Sequence, residues 1–173
     1  IDVGSHSIRY AVGRVQDGQA RMEPKRLEST HLAEGVSKTG RLGEVPMMRA
    51  LWAIEAFARD AAERGVPVYA YATSAVRDSE NRADFCQRAA ALGVQIQVLE
   101  PAEEARLALL GATGGQGGLL DIGGGSTEIL RPGFIHSAPL GCVKARELCD
   151  SAYSLEEMKR RVFAKCKELF RFP

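Results

Sequence analysis

Two short stretches of this chain share an order of residue types suited to handling phosphate. Ile1-Asp2-Val3-Gly4-Ser5-His6-Ser7 and Leu120-Asp121-Ile122-Gly123-Gly124-Gly125-Ser126-Thr127 each run apolar, aspartate, apolar, then glycine and hydroxyl residues, then β-prone residues. The pattern predicts a strand, a tight turn and a returning strand. Glycines in such a turn let the backbone approach an anion, and several N–H groups can converge on phosphate oxygens. An aspartate at the end of the first strand can hold a divalent cation or its waters. One copy alone is most simply a glycine hairpin whose aspartate caps the turn. Two copies, one opening each half of the chain, point to a phosphate chain clamped between two hairpins.

The elements that must position these turns follow from periodicity. Residues 7–15 read as a strand, Asp17-Gly18 as a hairpin turn, and residues 20–29 as the returning strand. The glycine-spaced stretch 34–45 reads as loop. Pro46 then opens a helix whose apolar face is Met47, Leu51, Ile54, Ala58 and Ala61, closed by Gly65. Residues 66–73 are β-rich, Ser79 is placed to cap a helix over 80–92, and residues 94–99 alternate as a strand. Pro101 starts a helix to about Leu110, and the glycines from 114 to 118 mark a break. Beyond it Pro132-Gly133 marks another hairpin turn. Ser154 and Glu157 form a capping box for a final helix with the face Leu155, Met158, Val162, Cys166 and Leu169. Hairpins followed by alternating strands and helices predict a mixed sheet covered by helices, class α/β.

Composition bounds the partners. The 173 residues carry 23 basic and 22 acidic side chains, with 45% hydrophobic residues, which excludes a disordered chain and a general nucleic-acid binder. The longest uncharged run, Leu107 to Leu120, is glycine-rich and too short for a transmembrane segment. The charge is uneven, with residues 131–173 net basic; this reads either as a solvated helix face or as a flank that attracts an anionic substrate. Cys86, Cys142, Cys149 and Cys166 show no metal-type spacing, so reduced thiols in a cytoplasmic protein are expected. The chain starts at Ile1 without an initiator methionine, so the lack of a leader carries little weight here. His31 and His136 have no partner at catalytic spacing and read as structural or surface residues.

Five blocks in order carry a resemblance: Asp2 to Ser7, then Ala72-Thr73-Ser74-Ala75-Val76-Arg77-Asp78 leading into Asn81, then Glu103-Glu104-Ala105-Arg106, then Asp121 to Glu128, then Pro139-Leu140-Gly141-Cys142-Val143. Together they resemble the exopolyphosphatase and guanosine pentaphosphate phosphohydrolase family of the actin-like superfamily. The resemblance implies an actin-like (ribonuclease H-like) domain over residues 1–113, with a mixed five-stranded sheet flanked by helices. Residues 114–173 would be the beginning of a second similar domain, too short to complete it.

The resemblance also implies roles. Glu104 would be the base that activates water, with the adjacent Glu103, about 100° around the helix, as its rival. Arg77 would contact phosphate through a planar guanidinium, the alternative being an ion pair with Asp78 or Glu80. Asp2, Gly4, Ser5 and Ser7 would form one phosphate wall, and Gly123, Gly124, Gly125 and Ser126 the other. Asp121 and Glu128 would hold Mg²⁺ or another divalent cation. His6 stands where the family often has asparagine, and Glu100-Pro101-Ala102 lacks a glycine and an acidic residue common before the Glu103 position. The implied reaction releases terminal orthophosphate from inorganic polyphosphate, or converts guanosine pentaphosphate to tetraphosphate, with a homodimer among the candidate assemblies. The rival functions are a polyphosphate- or alarmone-binding module without turnover and another actin-like ATPase or kinase.

Overall fold

The first hairpin is made by β1 (Asp2–Val3) and β2 (Ser7–Tyr10), antiparallel, with Asp2 opposite Arg9 and Val3 opposite Ile8. Alternation along a strand sorts these side chains onto two faces. Val3, Ile8 and Tyr10 are buried, whereas Asp2 and Arg9 lie exposed on the opposite face. The computed structural model describes residues 1–149 and 153–171. They divide into two compact units, Ile1–Leu99 and Glu100–Pro173.

After β2 the chain leaves the main sheet. β3 (Gly13–Gln16) and β4 (Gln19–Met22) form a separate two-stranded ribbon, turned by Asp17 and Gly18 at φ 52° and 73°. Two successive positive φ angles are what a two-residue type I′ turn requires. β5 (Arg26–Ser29) then returns to pair with β2. The expected continuous strands over 7–15 and 20–29 are therefore each divided. All residues of β3 and β4 are exposed, so no core face holds them in the sheet, and Pro24, which lacks an N–H, cannot continue the ladder.

The stretch expected as loop contains α1 (Val36–Thr39) and the start of α2 (Glu44–Glu63). Pro46 sits in the first turn of α2, where its missing N–H has no intrahelical acceptor to lose. α2 buries Met47, Leu51, Ile54 and Ala61 as the spacing predicts, together with Phe57, which stacks on Tyr10 at 4.9 Å between ring centroids. β6 (Ala70–Ala72) lies parallel to β1, α3 (Ser74–Arg77) and α4 (Arg82–Ala91) follow, and β7 (Ile96–Val98) lies parallel to β6. The result is a mixed five-stranded sheet in the order β5-β2-β1-β6-β7. Ile54, Phe57, Val76, Phe85 and Val94 fill the core of this unit, each contributing about 1.5–3 kcal/mol by leaving water.

Ser79 does not cap a helix over 80–92. Its hydroxyl donates to the carbonyl of Ala75 at 2.6 Å, and the helix begins two residues later than expected, after Asn81. The Asn81 amide instead clamps the backbone of Leu42, accepting from its N–H at 2.8 Å and donating to its carbonyl at 3.0 Å.

The second unit opens with α5 (Pro101–Thr113), continues through β8 (Leu119–Ile122), β9 (Thr127–Arg131) and β10 (Phe134–Ala138), and ends in α6 (Cys142–Glu147) and α7 (Leu155–Leu169). The strands are antiparallel in the order β10-β9-β8. α5 packs across all three, so it belongs with this unit, and the compact units meet at Leu99 rather than at the glycine break after Thr113. The face bearing Glu128 and Leu130 is buried, whereas Leu120 and Ile122 on the other face are 59% and 63% exposed.

α7 forms with its expected cap, the Ser154 hydroxyl accepting from the Glu157 N–H at 3.2 Å. None of its expected apolar stripe is buried among the described residues, and Leu155 is 65% exposed. Four of its five basic side chains pair along the helix itself, Lys159 with Glu156, Arg160 and Arg161 with Glu157, and Lys165 with Glu168, which gives the helix a solvated, internally paired face.

Candidate functional site

The two glycine turns have the same length and the same closing bond. In the first, the Gly4 N–H donates to the Ser7 carbonyl at 3.1 Å; in the second, the Gly123 N–H donates to the Ser126 carbonyl at 2.9 Å. In each, the chain segment after the outer strand of the sheet, β5 or β10, ties up carbonyls of the turn. The Ala33 N–H donates to Ser5, and the Thr30 and His31 N–H groups both donate to His6. The Cys142 N–H donates to Gly123 at 2.9 Å and the Val143 N–H to Gly124 at 2.8 Å. Because a trans peptide points its C=O and N–H in opposite directions, a Ser5 carbonyl turned inward leaves the His6 N–H facing the other way. The same holds for the Gly124 and Gly125 N–H groups opposite the carbonyls of Gly123 and Gly124. Amides presented outward by a tight turn form a cradle for an anion.

Side chains reinforce each turn. Ser5 is 4% exposed, and its hydroxyl lies 3.0 Å from that of Ser74 at the start of α3. The Ala72–Asp78 block is therefore a support of the first hairpin as well as the carrier of Arg77. The Thr127 hydroxyl donates to the Leu140 carbonyl, which docks the Pro139–Val143 segment on the second hairpin. Neither Ser74 nor Leu140 could be given these tasks from sequence alone, since each acts through a contact distant along the chain. Ser7 and Ser126 begin the return of each hairpin and are buried.

The turns differ in the charge opposite their aspartates. Asp2 faces Arg9 across the strands, with 3.6 Å between carboxylate and guanidinium. At the equivalent place Asp121 faces Glu128. Like charges directly opposite on one sheet face destabilise it, and Glu128 is only 1% exposed. One Glu128 oxygen accepts from the Ser137 hydroxyl at 2.8 Å. Two carboxylates opposite each other in register, partly buried, are oxygen donors of the hard type that Mg²⁺ prefers, although no cluster of three or more such side chains occurs among the described residues.

Arg77 is held inside. Its side chain is 10% exposed, donates to the Leu99 carbonyl at 2.7 Å, and lies 3.5 Å from the Asp78 carboxylate. It ties α3 to the end of β7, next to the residue that starts the second unit. Glu103 and Glu104 are both half-buried in the first turn of α5, where their charges favour the positive end of the helix dipole. The first unit so gathers Asp2, Gly4, Ser5 and Ser7 into one hairpin with Arg77 on the supporting helix. The second gathers Asp121, Gly123, Gly124, Gly125, Ser126 and Glu128 into the other, with Glu104 on the helix that packs across its sheet.

His136 is structural as expected: Nε2 lies 3.0 Å from the Leu169 carbonyl and its ring stacks on Phe134. His31 is not isolated. Its ring meets that of His6 edge to face, with centroids 4.4 Å apart.

A five-stranded mixed sheet that carries a glycine hairpin, followed by a second sheet opening on the same hairpin, defines an actin-like fold. The chain matches the model of the Ppx/GppA phosphatase family over residues 12–171, and it belongs to that family. It is 35% identical to "Exopolyphosphatase 2" of Mycobacterium tuberculosis, an alignment covering 86% of this chain and 53% of that protein. The crystal structure of an exopolyphosphatase-like protein superposes with a TM-score of 0.84 at 30% identity, covering 97% of this chain and 58% of that one. A Ppx/GppA family member from Aquifex aeolicus superposes with a TM-score of 0.72 at 28% identity, covering 96% and 59%. The chain thus spans between half and three-fifths of the length of these relatives. No helix among the described residues is long and apolar enough to cross a membrane.

Proposed function

We propose that this chain carries the phosphate-gripping part of a phosphohydrolase that releases terminal orthophosphate from inorganic polyphosphate. The observation that carries the reading is the repeated turn with its inward carbonyls and outward amides, joined to a change of the cross-strand partner from Arg9 to Glu128. The amides of His6, Gly124 and Gly125 bind phosphoryl oxygens, with no net charge needed on the protein side. Glu104 orients a water and takes its proton as the water oxygen bonds to the terminal phosphorus. The bond from that phosphorus to the bridging oxygen breaks, and orthophosphate leaves.

Asp121 and Glu128 are the residues that would hold Mg²⁺, whose charge would offset that of the phosphoryl oxygens. Arg77 contacts phosphate or, as its bond to Leu99 supports, holds α3 and Ser74 under the first turn. The test is phosphate release from long-chain polyphosphate by the chain and by Glu104→Ala. Loss of the base lowers the rate by about 10²-fold or more; equal rates overturn the assignment of Glu104. Guanosine pentaphosphate offered in competition identifies which anhydride is preferred.

A second reading, binding without turnover, is supported by the internal commitment of the Arg77 guanidinium. Calorimetric binding of polyphosphate with no phosphate released would favour it.

A further inference from the structure

The surface beside the first turn carries two histidines. His6 sits at the tip of the Gly4–Ser7 turn, and His31 is folded back against it from the end of β5. The His31 N–H donates to the His6 carbonyl at 2.9 Å, and the two imidazoles meet at 89° with centroids 4.4 Å apart. Both residues are exposed. His31 adopts φ 50°, a left-handed conformation that few residues other than glycine take up. Between β5 and His31, the Thr30 hydroxyl is buried with no hydrogen-bond partner, although the Thr30 N–H also donates to His6. The backbone bonds from Thr30 and His31 to the His6 carbonyl hold this conformation, and they leave an exposed ring that contributes little to the core set against the turn.

We propose that His6 and His31 form an imidazole pair that binds the phosphoryl group next along the chain from the one held at the His6 amide of the first turn. Imidazole N–H groups donate to non-bridging oxygens, and hydrogen bonds to a charged oxygen are the stronger kind. The pair therefore selects condensed phosphates over orthophosphate, which has no second phosphoryl group to offer. This inference rests on the reading of the turn as a phosphate cradle.

The test compares orthophosphate and tripolyphosphate binding by calorimetry for the wild-type chain and for His31→Gly. Glycine accepts a positive φ freely, so this variant removes the ring while leaving the backbone path undisturbed. Its thermal midpoint is expected at or above that of the wild type. Tripolyphosphate affinity falls by about tenfold or more, as expected for loss of a hydrogen bond to a charged group, and orthophosphate affinity is unchanged. Imidazole ¹⁵N resonances of His6 and His31 shift on addition of tripolyphosphate, while those of His136, bound to Leu169, do not.

Equal tripolyphosphate affinities for wild type and His31→Gly overturn the pair's role and leave the cradle intact. A parallel fall in both affinities also overturns it, because the ring would then be shaping the turn alone. A wild-type chain that binds neither anion overturns the cradle reading itself, and the pair with it.

Discussion

Gly141 offers a direct test of what holds the second turn in shape. It precedes α6, and the backbone around Gly123 and Gly124 lies against it. A Cβ built on Gly141 would overlap the Gly123 carbonyl oxygen and the Gly124 carbonyl carbon. The backbone at Gly141 has φ −113° and ψ −177°, extended values open to any residue, so Gly141→Ala carries no conformational penalty of its own. The cost is the close approach. To relieve it the turn must move away from α6, which breaks the bonds from the Cys142 and Val143 amides at 2.9 and 2.8 Å. Two such bonds contribute about 1 kcal/mol each. Overpacking against a rigid backbone adds about 1–3 kcal/mol. The expected loss is about 3–5 kcal/mol, which lowers the thermal midpoint by roughly 10 °C for a chain of this length.

Thermal unfolding followed by circular dichroism measures the loss. Amide resonances of Gly124 and Gly125 report whether the turn itself has moved. A variant that melts within about 1 °C of the wild type would refute the reasoning, since an interaction of even 1 kcal/mol shifts the midpoint further than that. It would mean that the amides at the start of α6 are not what holds the turn.

Asp121→Asn removes one of two opposed carboxylates, so without divalent cations the variant should melt slightly higher, by about 0.2–1 kcal/mol of relieved repulsion. Added Mg²⁺ should raise the midpoint of the wild type and leave that of the variant in place; the same Mg²⁺-dependent rise in both would rule out Asp121 as a ligand. Tyr10 should give the chain an alkaline limit. Burial, then the hydrogen bond to Asp60 at 2.7 Å, push its hydroxyl up to about 12 from an ordinary value of 10. A group whose folded value is raised stabilises fully below pH 10, and that contribution is lost as pH climbs through about 12. Tyr10→Phe should flatten the decline in midpoint between those limits, and an unchanged decline would assign it to another group.

The helices and turns whose signals are local could be read from the sequence. The α2 stripe, the Asp17-Gly18 turn and the Ser154–Glu157 cap each depend on residues within a few positions of one another, and each forms as expected. The misreadings lie where a distant partner decides. Ser79 has the residue type of a cap, but the short α3 before it offers the Ala75 carbonyl, and a buried hydroxyl takes the nearest acceptor. The strand over 7–15 has continuous β propensity; only the lack of a face to bury past Tyr10 divides it. Residue types also placed the two glycine turns where hairpins form. The contacts of Ser74, Leu140 and His31 span between 13 and 69 positions along the chain or appear only as a ring contact, so no spacing rule reaches them.

The repeat itself carries a further step. Asp2 and Arg9 are seven apart, and so are Asp121 and Glu128, because each hairpin has the same turn length and the same register. An identical backbone therefore brings whatever occupies the seventh position opposite the aspartate. With arginine there, the aspartate is paired. With glutamate there, two carboxylates face each other, and under the proposed function a bound cation would relieve them. One change at a position fixed by the turn is enough to make two copies of a hairpin different in kind. The exchange Glu128→Arg should accordingly remove any Mg²⁺ dependence from the second turn, and retention of that dependence would show that the cation is held elsewhere.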